Sequence, residues 1–71
     1  MIIGEFQKNT AEIVKVSWEA YKGSLFVDIR AYYEDKGGEW KPTKKGIAIP
    51  KNKIKSLIEL LQTAQKKALN G

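Results

Sequence analysis

The sequence predicts an α+β fold of the β-β-β-β-α type, a four-stranded antiparallel sheet followed by one C-terminal helix. Residues 12–18 and 25–33 alternate apolar and polar side chains with the period of two that places successive residues on opposite faces of a sheet. A Gly-rich turn and two shorter strands follow, one at 39–44 carrying Trp40 and one at 47–49 with Ile47 and Ile49. From Pro50 the period changes to three and four, and it holds to about Leu69.

Residues 1–11 have no clear period and read as an arm or a short strand ahead of a domain at 12–71. In the first strand Val14, Val16 and Trp18 share one face, with Lys15, Ser17 and Glu19 on the other. Tyr21-Lys22-Gly23-Ser24 supplies a turn, with Gly23 free to take a positive φ. Leu25, Val27, Ile29 and Ala31 then form an apolar row expected to face the core, opposite Phe26, Asp28, Arg30 and Tyr32. Residues 34–38, Glu-Asp-Lys-Gly-Gly, form a second turn, and Pro42 in the strand after it points to an edge or a bulge. In the helix Ile54, Leu57, Ile58, Leu61, Ala64 and Ala68 line one side, widened by Leu60 and Leu69. This stripe covers about half the circumference, more than the ~100° that docks one face. The excess predicts packing against both its own sheet and a second subunit.

The chain has 71 residues, no Cys and no His. Disulfides and thiolate or imidazole metal sites are therefore excluded, and no metal or cofactor is expected. A domain this small usually needs a staple or a partner, which leaves oligomerisation. Enzyme chemistry would have to rest on a carboxylate dyad or a Ser-Lys pair, and Asp28, Glu34, Asp35 and Glu39 form no recognisable dyad. No apolar run approaches a membrane span. The reading is a non-enzymatic, soluble, intracellular protein.

Thirteen Lys or Arg against eight Asp or Glu give a net charge of +5. Residues 1–35 carry four basic and six acidic groups, a net of −2; residues 36–71 carry nine and two, a net of +7. A basic half suits a polyanionic partner. Between Leu25 and Ile49 the cations are interleaved with Phe26, Tyr32, Tyr33 and Trp40, the mixture of stacking faces and phosphate partners that single-stranded nucleic acid uses. By spacing alone Arg30 reads equally as an ion-pair partner of Asp28 or as a phosphate or base contact. Trp40 divides evenly between stacking and packing, whereas Trp18 and Tyr32 read as core. Tyr21, on a turn, reads as a stacking residue. Lys44 and Lys45, with Lys22 and Lys41, read either as a solvated run or as a phosphate track.

Tyr21-Lys22-Gly23, Val27-Asp28-Ile29-Arg30, Tyr32-Tyr33, the Gly-bearing turn 35–38 and Lys41-Pro42-Thr43-Lys44-Lys45-Gly46-Ile47 stand in one register over residues 12–69. In this the chain resembles the single-stranded-DNA-binding domain of transcriptional positive cofactor 4. The resemblance implies a homodimer through the helices (Ile54, Leu57, Ile58, Leu60, Leu61 and Ala64) and β-sheet channels for extended single strands. It implies DNA contacts at Tyr21, Lys22, Arg30, Tyr33, Lys44 and Lys45, to which Trp40 and Lys41 are added on the reading of the residues. The expected role is single-stranded DNA binding with little sequence preference, as a transcription cofactor or a replication or repair accessory. The alternatives are an RNA-binding module and a protein-interaction adaptor of the transcription machinery. The chain departs from the family at several points: Glu12, Val14 and Glu19 replace basic residues of the first strand, Ser24 replaces another, and Tyr33 stands where Trp is common. The Ser-rich acidic region that precedes the domain in animal members is missing from these residues. That favours a microbial or viral source, and cytoplasm or nucleoid over nucleus.

Overall fold

The alternating pattern of residues 12–34 becomes two long strands joined by a two-residue turn. The computed structural model describes every residue from Met1 to Gly71. β2 (Glu12–Tyr21) and β3 (Ser24–Glu34) pair in an unbroken antiparallel register from Glu12↔Tyr33 to Tyr21↔Ser24. Lys22 and Gly23 between them both have positive φ, 50° and 82°. Two successive residues of this kind give a turn whose twist matches that of the flanking strands. The expected positive φ of Gly23 is present, and Lys22 shares it.

β1 (Ile2–Gln7) adds to the free side of β2, and β4 (Trp40–Pro50) to the free side of β3, so the sheet order is β1-β2-β3-β4 with all neighbours antiparallel. Four strands therefore precede the helix, as predicted, but not the four segments expected. The N-terminal residues 2–7 form a full edge strand, and the stretches 39–44 and 47–49 are halves of one strand. Their apparent separation at Lys45-Gly46 comes from a bulge. Thr43, Lys44 and Lys45 stand opposite the single residue Ala31, between the pairs Tyr32↔Pro42 and Arg30↔Gly46. Extra residues on one strand bend it and increase its twist without ending it. Pro42 is accommodated because β4 is an edge strand.

The turn before β4 is organised by Asp35. Its Oδ1 accepts hydrogen bonds from the backbone N–H groups of Gly37 (2.8 Å) and Glu39 (3.0 Å), and Gly38 takes a φ of 84°. After β4 a single 3-10 turn (Lys51–Lys53) leads into α1 (Ile54–Asn70); Lys51 and Lys53 of that turn and Lys55 of the first helical turn gather at the helix start, with no acid among them.

The apolar row Val14, Val16 and Trp18 of β2 lies beside Ala31, Ile29 and Val27 of β3, and Ile29 and Val27 lie beside Ile47 and Ile49 of β4. Ala31 is buried, whereas Val27, Ile29 and Trp18 are half-buried and Leu25 is exposed. The opposite face carries Ile13, Lys15 and Ser17 beside Tyr32, Arg30 and Asp28. Only Ile13, Ser17 and Ala31 are buried in the whole chain.

The helix corrects the expectation that its stripe docks partly on its own sheet. Within α1 only Ile54 and Leu57, in the first turn, are half-buried; Ile58, Leu60, Leu61 and Leu69 are exposed. The chain leaves β4 at the sheet's edge, and the helix runs outward. The molecule measures 39 × 39 × 18 Å with a radius of gyration of 14.1 Å, against about 11 Å for a compact domain of this length. Its accessible surface is 5876 Å², whereas a compact 8.0 kDa domain would show about 4,450 Å². The difference is about 1,400 Å²; Met1 and, in β1, Ile2, Ile3 and Phe6 are all more than half exposed, and Ile58, Leu60, Leu61 and Leu69 of the helix are exposed as well.

Candidate nucleic-acid interface

Period-two alternation along β3 places Arg30 and Tyr33 on opposite faces of the sheet. The residues expected to contact a nucleic acid are thereby separated into three groups.

Tyr21 and Lys22 occupy the tip of the β2–β3 hairpin. Tyr21 is 66% exposed, and the Lys22 ammonium sits 5.4 Å from its ring centroid. Tyr21 is nine positions along β2 from Glu12 at its other end, about 30 Å at the rise of a strand. One chain thus presents two clusters at the ends of a ribbon.

The far end of the apolar face holds the second group. Tyr33 lies directly across from Glu12 on one side and Lys41 on the other. It is 45% exposed. The Lys41 ammonium is 3.1 Å from the Glu39 carboxylate and 3.9 Å from that of Asp35. The Lys45 ammonium lies 3.6 Å from Glu12 Oε2, and Lys8 approaches Oε1 at the same distance. Lys44, in the bulge, is exposed and forms no ion pair. Lys8, Val14, Ile29, Arg30, Ala31, Lys45, Gly46 and Ile47 outline a shallow depression here.

Arg30 belongs to the mixed face and is held on all sides. Its Nε and Nη2 each donate to the Asp28 carboxylate at 3.0 Å, and Nη1 donates to the Thr43 carbonyl at 2.9 Å. The forked bonds to Asp28 stabilise the guanidinium cation and hold its pKa above the usual arginine value. Three of its five N–H groups are engaged, which leaves two for a ligand. The guanidinium lies flat over Gly46: a Cβ at that position would be 2.6 Å from Arg30 Cζ. Thr43 completes the unit, its hydroxyl donating to the Ala31 carbonyl (2.8 Å) and accepting from the Lys45 N–H (3.1 Å). Asp28, Arg30, Gly46 and Thr43 together fix the bulge that aims Lys44 and Lys45. Asp28 is identifiable beforehand from its spacing to Arg30; the contacts of Thr43 and Gly46 with Arg30 become visible only when the bulge is seen.

The remaining candidates lie on this same face. Tyr32, half-buried as expected, carries the Lys15 ammonium over its ring at 4.5 Å. Trp40 is half-buried and pairs with Glu34. No group of His, Cys, Asp or Glu side chains is arranged to hold a metal ion, and no helix is long and apolar enough to cross a membrane.

The family model of Transcriptional Coactivator p15 (PC4) matches residues 8–60. The chain belongs to the PC4 family. PC4-like proteins form a non-enzymatic DNA-binding family with roles in transcription and replication. Two crystal forms of a PC4 homologue from Burkholderia pseudomallei superpose with TM-scores of 0.84 and 0.83 at 29% identity. They cover 92% of this chain and 88% and 96% of theirs. A bacteriophage T5 homologue of the eukaryotic coactivator PC4, implicated in recombination-dependent DNA replication, matches with a TM-score of 0.55 at 27% identity, over 99% of this chain and 92% of its own.

Proposed function

We propose that this PC4-family protein is a homodimeric, intracellular single-stranded-DNA-binding protein with little sequence preference. It would serve as a transcription cofactor or as an accessory of replication or repair. The observation that carries the proposal is the set of open aromatic faces and cations along one β2–β3–β4 ribbon. Tyr21 and Tyr33 offer rings to bases; Lys22, Lys44 and Lys45 lie within reach of phosphates, with Lys41, Arg30 and Trp40 flanking them. Base stacking and phosphate neutralisation together give affinity without reading base edges, which suits a partner of varied sequence. The phage T5 relative's link to DNA replication supports the replication role.

The exposed surface supports the dimer. The excess exposed area of about 1,400 Å² is comparable with what one subunit buries in a permanent dimer. Ile54, Leu57, Ile58, Leu60, Leu61 and Ala64 form the proposed interface. Pairing two copies would also bring a second set of ribbons beside the first.

The test is a titration with labelled oligo-dT, matching duplex and oligo-U across a salt series, with the mass of the free protein read by sedimentation. Tighter binding to oligo-dT than to duplex is expected, with log K falling against log salt by about 0.7 per phosphate neutralised, on a particle of two chains. Equal or tighter binding to duplex overturns the single-strand reading. Tighter binding to oligo-U reassigns the protein to RNA, and a monomer removes the interface. Failure to bind any nucleic acid leaves the adaptor role.

A further inference from the structure

Of the acids at the bulge end, Glu12 is the one that two lysines reach, and it is firmly held. Asn9 Oδ1 accepts from the backbone N–H groups of Ala11 (2.9 Å) and Glu12 (2.8 Å), and the N–H groups of Lys8 and Asn9 donate to the Glu12 carbonyl. Asn9 Nδ2 then donates to Glu12 Oε1 at 3.1 Å. The carboxylate side chain is only 17% exposed, whereas the lysines that reach it, Lys8 and Lys45, are 49% and 71% exposed. The turn fixes the anion, and the long cationic side chains come to it from solvent. Across the strand pair from Glu12 stands Tyr33, one of the proposed stacking residues.

We propose that Glu12 is a built-in competitor of phosphate for Lys8 and Lys45, and that it thereby sets the strength and salt dependence of nucleic-acid binding at this end of the ribbon. The inference rests on the single-stranded-DNA reading and adds a determinant to it. A phosphate that takes Lys45 must displace a carboxylate and then lie beside it, so the exchange gains less than capture by a free lysine. The uncovered carboxylate draws a cation from solution, which offsets part of the counterion release from the DNA. Lys44, with no carboxylate near it, contributes in full.

The test compares the wild type with Glu12→Gln, which keeps an oxygen for Asn9 and removes the charge, by oligo-dT titration across a salt series. Binding is expected to tighten about three- to tenfold near 0.1 M salt, as releasing one or two exposed ion pairs would give. The salt slope is expected to steepen by up to about 0.7. In a Lys45→Met background the gain should shrink. Glu59→Gln, the same charge change out on the helix, should leave affinity within twofold. An unchanged or weakened Glu12→Gln complex overturns the proposal, as does an equal gain from Glu59→Gln or in the Lys45→Met background. If the wild type itself does not bind oligo-dT, it is the single-strand reading that fails. The proposal has a second readout that does not depend on the variant folding. The carbon-13 resonance of the wild-type Glu12 carboxylate should move as oligo-dT saturates the protein, and a stationary resonance refutes the exchange.

Discussion

The two ends of the β2–β3 ribbon hold similar residue types in different electrostatic conditions. At the hairpin tip Tyr21 is two-thirds exposed and Lys22 has no carboxylate partner, only the neighbouring ring. At the bulge end Lys8, Arg30, Lys41 and Lys45 are each paired with an acid, and Lys44 stands alone. A count of basic residues treats the two ends as equivalent. The geometry separates them: a phosphate arriving at the tip would replace water and salt, whereas at the bulge it would have to replace a carboxylate. Stacking should dominate at the tip and exchange of anions at the bulge.

The largest effect is expected from Tyr21→Ala. Losing one stacking ring costs about 1–3 kcal/mol, or roughly 5- to 150-fold in affinity. Because no charge is removed, the salt slope should stay at its wild-type value while the dissociation constant rises. Lys22→Met should do the reverse, a modest loss of affinity with a slope shallower by about 0.7. Oligo-dT titrations at four salt concentrations measure both quantities. If Tyr21→Ala binds like the wild type, stacking at the tip is refuted and the bulge end carries the affinity.

A smaller effect should come from Gly46→Ala, which tests whether Arg30 acts through the bulge. The new methyl would meet Arg30 Cζ at 2.6 Å, and the end of a flexible side chain gives way more readily than backbone does. The expected result is a folded protein in which Arg30 has left Thr43 and Asp28 and the bulge has loosened. Affinity should fall severalfold, and Arg30→Lys, which cannot reproduce the fork, should fall to a similar degree. Nitrogen-15 spectra of the Arg30 guanidinium and the Lys45 amide would report the displacement. An unmoved Lys45 amide in Gly46→Ala would mean that Arg30 does not position the bulge.

These differences mark the limit of what the sequence makes legible. Alternation in residues 12–18 and 25–33 identifies β2 and β3 because each strand has one apolar row, and Tyr21-Lys22-Gly23 identifies their turn. Residues 2–7 escape the same reading: Ile2, Ile3 and Phe6 do not alternate, since β1 bulges between Ile2 and Gly4 and hardly buries either face. The sequence of β4 reads as two pieces meeting at Lys45-Gly46 because bulge residues interrupt the period of two. The helix stripe is read correctly as wider than one docking face, but its position is not: no pattern in α1 says that the chain will leave the sheet's edge. In the site, Asp28 and Arg30 show their pairing through spacing on one strand. The pairing of Lys45 with Glu12 joins two strands that do not touch in the sheet order, and no local spacing encodes it.

The smallest expected effect is one of pH, and its sign distinguishes the two ends once more. The hydrogen bond from Asn9, followed by the charges of Lys45 and Lys8, holds the Glu12 carboxyl below its ordinary value of 4.5. A carboxyl whose folded-state pKa is depressed stabilises the protein at pH values above its ordinary one, and that contribution is lost as pH falls through the depressed value. With no His in the chain, no side chain with an ordinary pKa titrates between pH 5 and 8. Oligo-dT binding should therefore be flat between pH 5 and 7. Below 4.5, protonation of Glu12 should loosen the turn at residues 8–12 while freeing Lys8 and Lys45. Amide exchange of β1 and of the first residues of β2 should accelerate there, before that of the Lys22–Gly23 tip. In Glu12→Gln the acid-induced difference between the two ends should be absent. Acid loosening that begins at the tip, or that persists in Glu12→Gln, would show that the two ends do not differ through this carboxylate.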